Sequence, residues 1–239
     1  EFSNADQLSF IITSTLAQEK ILRRQMKKYR NLDCNIVTIP VGSLHELTKR
    51  RQGNGSEIRL ITASRLASEK HVDAVVQAHR TFPQIRFDIY GKGAEENPIR
   101  ELIKDHHAEE YIRLCGHQEL HEVYPDYDVY LSASTSEGFG LTLMEAVGAG
   151  LAMIGFDVHY GNQTFIDPEK NGYLLPYHTE MSNQKMAEAI AEAICKICDP
   201  AKIEAFSKRS YAIAEEYLSE NVAKKWEALL KSLSQGESV

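Results

Sequence analysis

Two carboxylates, two cations and a short run of glycines are the residues here whose types and spacing could do chemistry. In the segment 134–145, Glu137 is followed by Gly138, Phe139 and Gly140, and Glu145 comes after seven intervening residues. Glycines let the backbone turn tightly and let a ligand approach main-chain N–H groups. A helix opening near Leu141 turns its positive end toward the same loop. Glu145 then lies within that helix, slightly over two turns beyond Glu137, so the two carboxylates can serve different parts of one ligand. Each has two acceptor oxygens and can hold a pair of hydroxyls. The plainer alternative is a glycine-bounded helix start with a surface glutamate, and spacing, context and order weigh against it. Upstream, Arg65 leaves the end of an apolar run and Lys70 sits five residues on. Two cations where a strand gives way to a helix suit a diphosphate. Taken alone, Arg65 reads equally well as a surface residue flanking a helix.

The elements that must position these groups alternate strand, turn and helix. Apolar runs predict strands over 8–13 and 34–41, with a helix over 16–29 capped by Ser14 and Thr15. Residues 49–57 are polar and glycine-containing and read as a linker or loop. A larger series follows, with strands over 58–63, 85–90, 111–115, 129–132, 152–156 and 172–175. Helices are expected over 69–80, 98–107, 120–125 and 141–150, then 183–198, 201–217 and 219–234. Apolar strands alternating with helices imply an α/β fold, a doubly wound parallel sheet covered on both faces and followed by C-terminal helices. Such sheets bind ligands at the C-terminal ends of their strands, where Arg65 and Glu137 fall.

Composition sets limits. The chain has 239 residues, enough for one good core or one domain plus a piece of another. A net charge of −7 argues against a nucleic-acid partner. Two basic clusters (Arg23, Arg24, Lys27, Lys28 and Arg30; Lys49, Arg50 and Arg51) read as solvated helix and loop surface, with a docking patch as the sharper alternative. Cys34, Cys115, Cys195 and Cys198 form no disulfide framework, which favours a reducing, cytoplasmic compartment. No apolar run is long enough for a membrane helix. The chain begins at Glu1 with neither Met nor a signal-like leader, so a fragment or processed product is expected.

Arg65 and Lys70, then Glu137-x7-Glu145 with its glycines and a Glu-Ala-x-Gly-x-Gly continuation to Gly150, resemble the retaining GT-B glycosyltransferases of family 4. Segments 39–43, 60–65, 87–91, 154–157 and 160–165 extend the likeness over nearly the whole chain, and it is most similar to the GtfA type, the O-GlcNAc transferases of the accessory Sec system of Gram-positive bacteria. The resemblance implies a Rossmann-like donor-binding domain over 45–200, a remnant of an acceptor domain over 1–44, and helices over 201–239 that pack back toward the rest of that domain. It implies that Arg65 and Lys70 grip the diphosphate and stabilise departing UDP, and that Glu145 holds the ribose hydroxyls. Glu137, Gly138, Phe139 and Gly140 would hold the sugar, Thr142 would face the phosphates, and the backbone at His117 and Gln118 would read the uracil edge. Retention by front-face attack is implied, with Glu137 positioning and stabilising charge rather than acting as a proven nucleophile. No metal or other cofactor is implied. The implied donor is UDP-GlcNAc, the acceptor a serine-rich repeat adhesin, and the partner a GtfB-type co-subunit, with placement at the membrane periphery as a further option. The acceptor domain, with a histidine near the donor sugar, is expected to be missing, leaving this chain inactive by itself.

Other signals weigh less. Asp126 and Asp128 spell a DxD metal motif but immediately precede a strand. His117 and His121 lack a third metal ligand, and Cys195 and Cys198 sit on an amphipathic helix without a second pair. Gly91-Lys-Gly93 lacks the third glycine of a dinucleotide fingerprint, which makes a nicotinamide oxidoreductase remote. The helix from His71 is short for its place and suggests a deletion near Asp73. Two rivals remain: a glucosyl- or mannosyltransferase acting on a cell-wall polymer or lipid, and a non-catalytic binding or chaperone subunit. A decayed donor site should have lost Arg65, Lys70, Glu137 or Glu145, and all four are present.

Overall fold

The computed structural model describes residues 10–27, 35–51 and 57–235. Leu8, Tyr29 and Cys34, the cations Lys28 and Arg30, and the middle of the 49–57 loop lie outside the described residues. In chain order the elements are β1 (Phe10–Thr13), α1 (Leu16–Met26), β2 (Asn35–Thr38), β3 (Arg59–Ala63), α2 (Val72–His79), β4 (Arg86–Tyr90), α3 (Glu96–Asp105) and β5 (Ile112–Gly116). They continue with α4 (Leu120–Val123), β6 (Val129–Ser132), α5 (Leu141–Gly148), β7 (Ala152–Phe156), α6 (Gly161–Phe165), β8 (Gly172–Leu175), α7 (Asn183–Ile197), α8 (Pro200–Glu215) and α9 (Ser219–Gln235). Two compact units result, Glu1–Glu46 with Glu215–Val239, and Leu47–Ala214.

In the first unit β1 and β2 pair in parallel. Thr15 opens α1 with a reciprocal cap, its hydroxyl accepting from Gln18 N at 3.1 Å while the Gln18 side chain accepts from the Thr15 backbone. Ile39 packs with Val222 and Leu229 of α9.

The second unit is a six-stranded, all-parallel sheet in the order β5-β4-β3-β6-β7-β8. The chain enters at the centre, winds to one edge, then returns to wind to the other. Every residue of β6 and β7 is buried, because helices cover both faces of a sheet of this kind. On α7, Met186, Ile190, Ala193, Ile194 and Ile197 repeat at helical spacing and join Val72, Val75 and Val76 of α2 and Ile99 and Ile103 of α3 in one core cluster. Among the described residues, Cys115, Cys195 and Cys198 are free thiols and no helix is long and apolar enough to cross a membrane.

Three local departures from the sequence expectations have physical causes. The helix expected over 69–80 is broken: Ser68–Lys70 form a 3-10 turn, His71 is left-handed with φ 44°, and α2 starts only at Val72. The side chain of Asn183, at the start of α7, bridges the break, reaching His71 Nδ1 at 3.2 Å on one side and donating to the Asp73 carboxylate on the other. Arg51 is exposed surface as expected, but Arg50 is not. Arg50 is ion-paired with Asp128 and, at 3.0 Å, with Glu204, while Arg51 holds Asp126 at 2.9 Å. Both carboxylates of the DxD sequence are therefore engaged by arginines. The Tyr211 hydroxyl lies at the same place, accepting from Arg50 N at 3.0 Å with the carbonyls of Thr48 and Ala149 at 3.0 and 3.2 Å. Finally, α6 went unanticipated because five residues beginning with glycine carry no helical period.

His79 is fully buried among Phe82, Phe87 and Tyr111. Its Nε2 lies 2.7 Å from the Ile85 carbonyl, which can only accept, so the proton sits on Nε2. Nδ1 has no partner. Burial lowers its pKa from 6.5 to about 4, outweighing the opposite pull of the Ile85 hydrogen bond. The unfolded chain therefore takes up this proton first as pH falls, and stability drops from about pH 6.5 downward by roughly 1.4 kcal/mol per unit until pH 4. Urea unfolding at neutral pH and at about pH 5 should differ by roughly 2 kcal/mol from this group, and His79→Gln should reduce that difference. A second prediction concerns Gly91, at φ +128°, where an added Cβ would stand 1.8 Å from the Ser64 carbonyl oxygen. Gly91→Ala should lower unfolding stability by about 2 kcal/mol or more in the same assay, because the clash is with backbone and no rotamer relieves it.

Candidate functional site

The centre of the sheet is where the winding direction changes, and there the connections after β3 and β6 diverge. Both expected constellations fall on these two connections. Tyr130, inside β6, stitches the seam: its hydroxyl donates to the Ala63 carbonyl at 2.9 Å. With that proton spent, the 2.9 Å contact to Thr142 Oγ1 is donated by the threonine, which fixes the first turn of α5 against the end of β3. Gly140, at φ +88°, makes the turn into α5, and a Cβ there would stand 2.5 Å from Leu143 Cδ1 and 3.2 Å from Glu137 Cγ.

Two cavities open along this seam, of about 450 and 420 Å³, sharing Ala63, Ser64, Arg65 and Thr142 as walls. The larger continues to Tyr90, Gly91 and Lys92 after β4 and to His117 and Gln118 after β5. The smaller continues to Lys70, Ser134, Glu137, Phe139 and Gly140. Together they form a cleft with one less polar arm and one arm richer in charge, across the N-terminal end of α5.

Charge is concentrated in the smaller arm. Lys70 Nζ lies 2.7 Å from Glu137 Oε2, with the two side chains 15% and 20% exposed. The backbone ties the same two segments together, since Thr135 N donates to Glu69 O at 3.1 Å and Thr135 Oγ1 does so at 3.3 Å. From its other side the Glu137 backbone is pinned by the turn after β7, donating to His159 O at 3.0 Å and accepting from Gly161 N at 2.8 Å. Arg65 is more open, 73% exposed, and lies 2.7 Å from Glu69. The Glu69 pKa is lowered by its own backbone hydrogen bond first and by Arg65 second.

The sequence-derived residues thus separate into three groups. Arg65, Lys70, Glu137, Phe139, Gly140 and Thr142 gather on the smaller cavity, and His117 and Gln118 stand on the larger with Arg65 and Thr142. Gly138 and Glu145 line neither. Glu145 lies one turn beyond Thr142 on α5, and burial raises its pKa, with His121 pulling it down and Glu119 pushing it up. These influences place its carboxyl near α4. Sequence reasoning missed Ser64, Tyr90 and Lys92. Ser64 Oγ is buried on the shared wall without a hydrogen-bond partner among the described residues. Lys92 adds a cation to the larger arm and has no ion pair among the described residues. The glycine pair around Lys92, set aside because it failed a dinucleotide pattern, was the signal that could have found it: Ser64 N donates to Tyr90 O at 3.1 Å and Leu66 N to Lys92 O at 2.9 Å, so this turn carries the Arg65 loop. Among the described residues there is no group of three or more His, Cys, Asp or Glu placed to hold a metal ion.

The chain is 48% identical over 237 residues to the UDP-N-acetylglucosamine–peptide N-acetylglucosaminyltransferase GtfA subunit of Streptococcus pneumoniae, covering 98% of this chain and 47% of the relative. It superposes on a crystal structure of the pneumococcal O-GlcNAc transferase GtfA in complex with UDP and GlcNAc with a TM-score of 0.86 at 49% identity, covering 97% of this chain and 46% of that one. A GtfA/B complex gives a TM-score of 0.89 at 49% identity with the same coverage of each chain. The chain thus spans about half the length of the curated relatives it matches. The model of the glycosyl transferases group 1 family matches residues 45–211, which hold both cavities and every charged group on them, and the chain belongs to that family.

Proposed function

We propose that this chain forms the donor-binding part of a retaining UDP-sugar transferase whose full-length form moves GlcNAc from UDP-GlcNAc to Ser or Thr hydroxyls of a serine-rich repeat adhesin. The observation that carries the reading is the convergence of Arg65, Lys70 and Glu137 on one cavity in front of the α5 N-terminus. A diphosphate in that arm would meet two cations and a helix dipole, which together stabilise charge on departing UDP. The adjoining larger arm, with Lys92 and the backbone at His117 and Gln118, has room for the nucleoside, and the half-buried Glu145 beside it suits ribose hydroxyls. In this reading Glu137 and the backbone of Gly138, Phe139 and Gly140 hold the sugar. No metal is required, because side-chain cations and the dipole do the electrostatic work.

Residues 1–44 and 201–239 would complete an acceptor domain that lies in the additional length of the relatives, so the chain by itself is expected to bind donor but not to transfer sugar. The 48% identity to a GtfA subunit supports UDP-GlcNAc as donor and peptide as acceptor, and the likeness to the chain of a GtfA/B complex supports a GtfB-type co-subunit. A cytoplasmic location, with peripheral placement at the membrane, follows from the same reading. Calorimetric titration of this chain should show binding of UDP in preference to GDP and NAD, and Glu145→Ala should weaken it by about 1–3 kcal/mol by leaving polar groups unpaired. If the folded chain fails to bind UDP, the same titration on a chain of the relatives' full length decides: binding there assigns the pocket's completion to the extra length, and no binding there ends the reading.

A further inference from the structure

The ion pair between Lys70 and Glu137 joins the two residues that the donor-site reading gives to different ligand groups. Lys70 is assigned to phosphate and Glu137 to sugar hydroxyls, yet the two meet at 2.7 Å, both largely buried. Their backbones are locked together through Thr135 and Glu69, and Glu137 is pinned again by His159 and Gly161, so the contact forms without rearranging either loop. Such a preorganised, partly buried pair is stronger than the exposed Arg65–Glu69 pair beside it.

We propose that Glu137 competes with the nucleotide's diphosphate for Lys70, and that the re-formed ion pair helps expel UDP after sugar transfer. The inference rests on the donor-site reading. When an intact nucleotide sugar fills the smaller cavity, sugar hydroxyls satisfy the Glu137 oxygens and the Lys70 ammonium turns to the phosphate. Once the sugar has left, the Glu137 carboxylate has lost its hydroxyl donors and stands in the same cavity as the anionic product, whose terminal phosphate has gained an ionisable oxygen. It repels the phosphate and reclaims the ammonium, both of which weaken UDP relative to the donor. The carboxylate thereby discriminates substrate from product without touching the base.

The test is titration of the chain with UDP and with uridine, using wild type, Glu137→Gln, and each of these in a Lys70→Met background. Glutamine keeps the shape and a hydroxyl acceptor but removes the charge. The expected result is UDP binding tighter by on the order of tenfold in Glu137→Gln, between what exposed and buried ion pairs return. Uridine affinity should not change, and the gain should vanish when Lys70 is already methionine, as coupling through that residue requires. Glu137→Ala, which also lacks the charge, should show the same gain for UDP if the glutamine variant folds poorly. Wild type that binds UDP while both Glu137 variants bind it equally or less well overturns the latch and leaves the donor site standing. A gain shared equally by uridine, or one that persists with Lys70→Met, also overturns it. A folded wild-type chain that binds neither ligand removes the donor-site reading and the latch with it.

Discussion

The cleft depends on a single constraint of the sheet. At the seam between β3 and β6, neighbouring parallel strands send their connections away in opposite directions, so the ends of both strands are left uncovered. A gap of this kind fills with water or ligand unless something holds its walls. The Tyr130 hydroxyl does so, binding the last residue of β3 and the first turn of α5 together. Burial raises its pKa far above the usual phenol value, so the proton it donates to the Ala63 carbonyl stays in place throughout the physiological range.

From that seam outward, each functional group inherits its position from backbone geometry. The Arg65 loop is carried by the turn after β4, the Glu137 loop by the turn after β7, and Lys70 by a 3-10 turn that ends in a left-handed histidine. A non-glycine residue in that region costs energy, and here the Asn183 side chain of α7 holds it. Long-range supports of this kind leave the floor of the cleft stiff while its rim, at Arg65, stays open to solvent.

Much of this was legible in the sequence where local pattern decides. The strands over 129–132, 152–156 and 172–175 were read with the boundaries that the structure gives, because a buried strand is a continuous apolar run with polar ends. The cap at Thr15 was legible because its partner is three residues away. What could not be read is whatever depends on a distant partner. His71 breaks its helix with the help of Asn183, 112 residues on, and Arg50 is drawn out of solvent by Asp128, 78 residues on. The motifs placed Lys70 and Glu137 near one ligand, but their direct contact spans 67 residues and only the fold brings it about. The turn carrying Lys92 was passed over because its glycines serve a contact with another loop and match no ligand fingerprint.

The three contacts of the Tyr211 hydroxyl have an architectural consequence. They join Thr48, at the entry to the sheet unit, to the last helix before its exit, across 163 residues of sequence. Entry and exit therefore share one corner, and the unit closes on itself as a loop held there by the Tyr211 phenol and the Arg50–Glu204 ion pair. A module whose ends meet in this way can be spliced between unrelated flanking sequences without rerouting any strand. Lineages could thus exchange what surrounds such a unit while the cleft inside it is inherited intact.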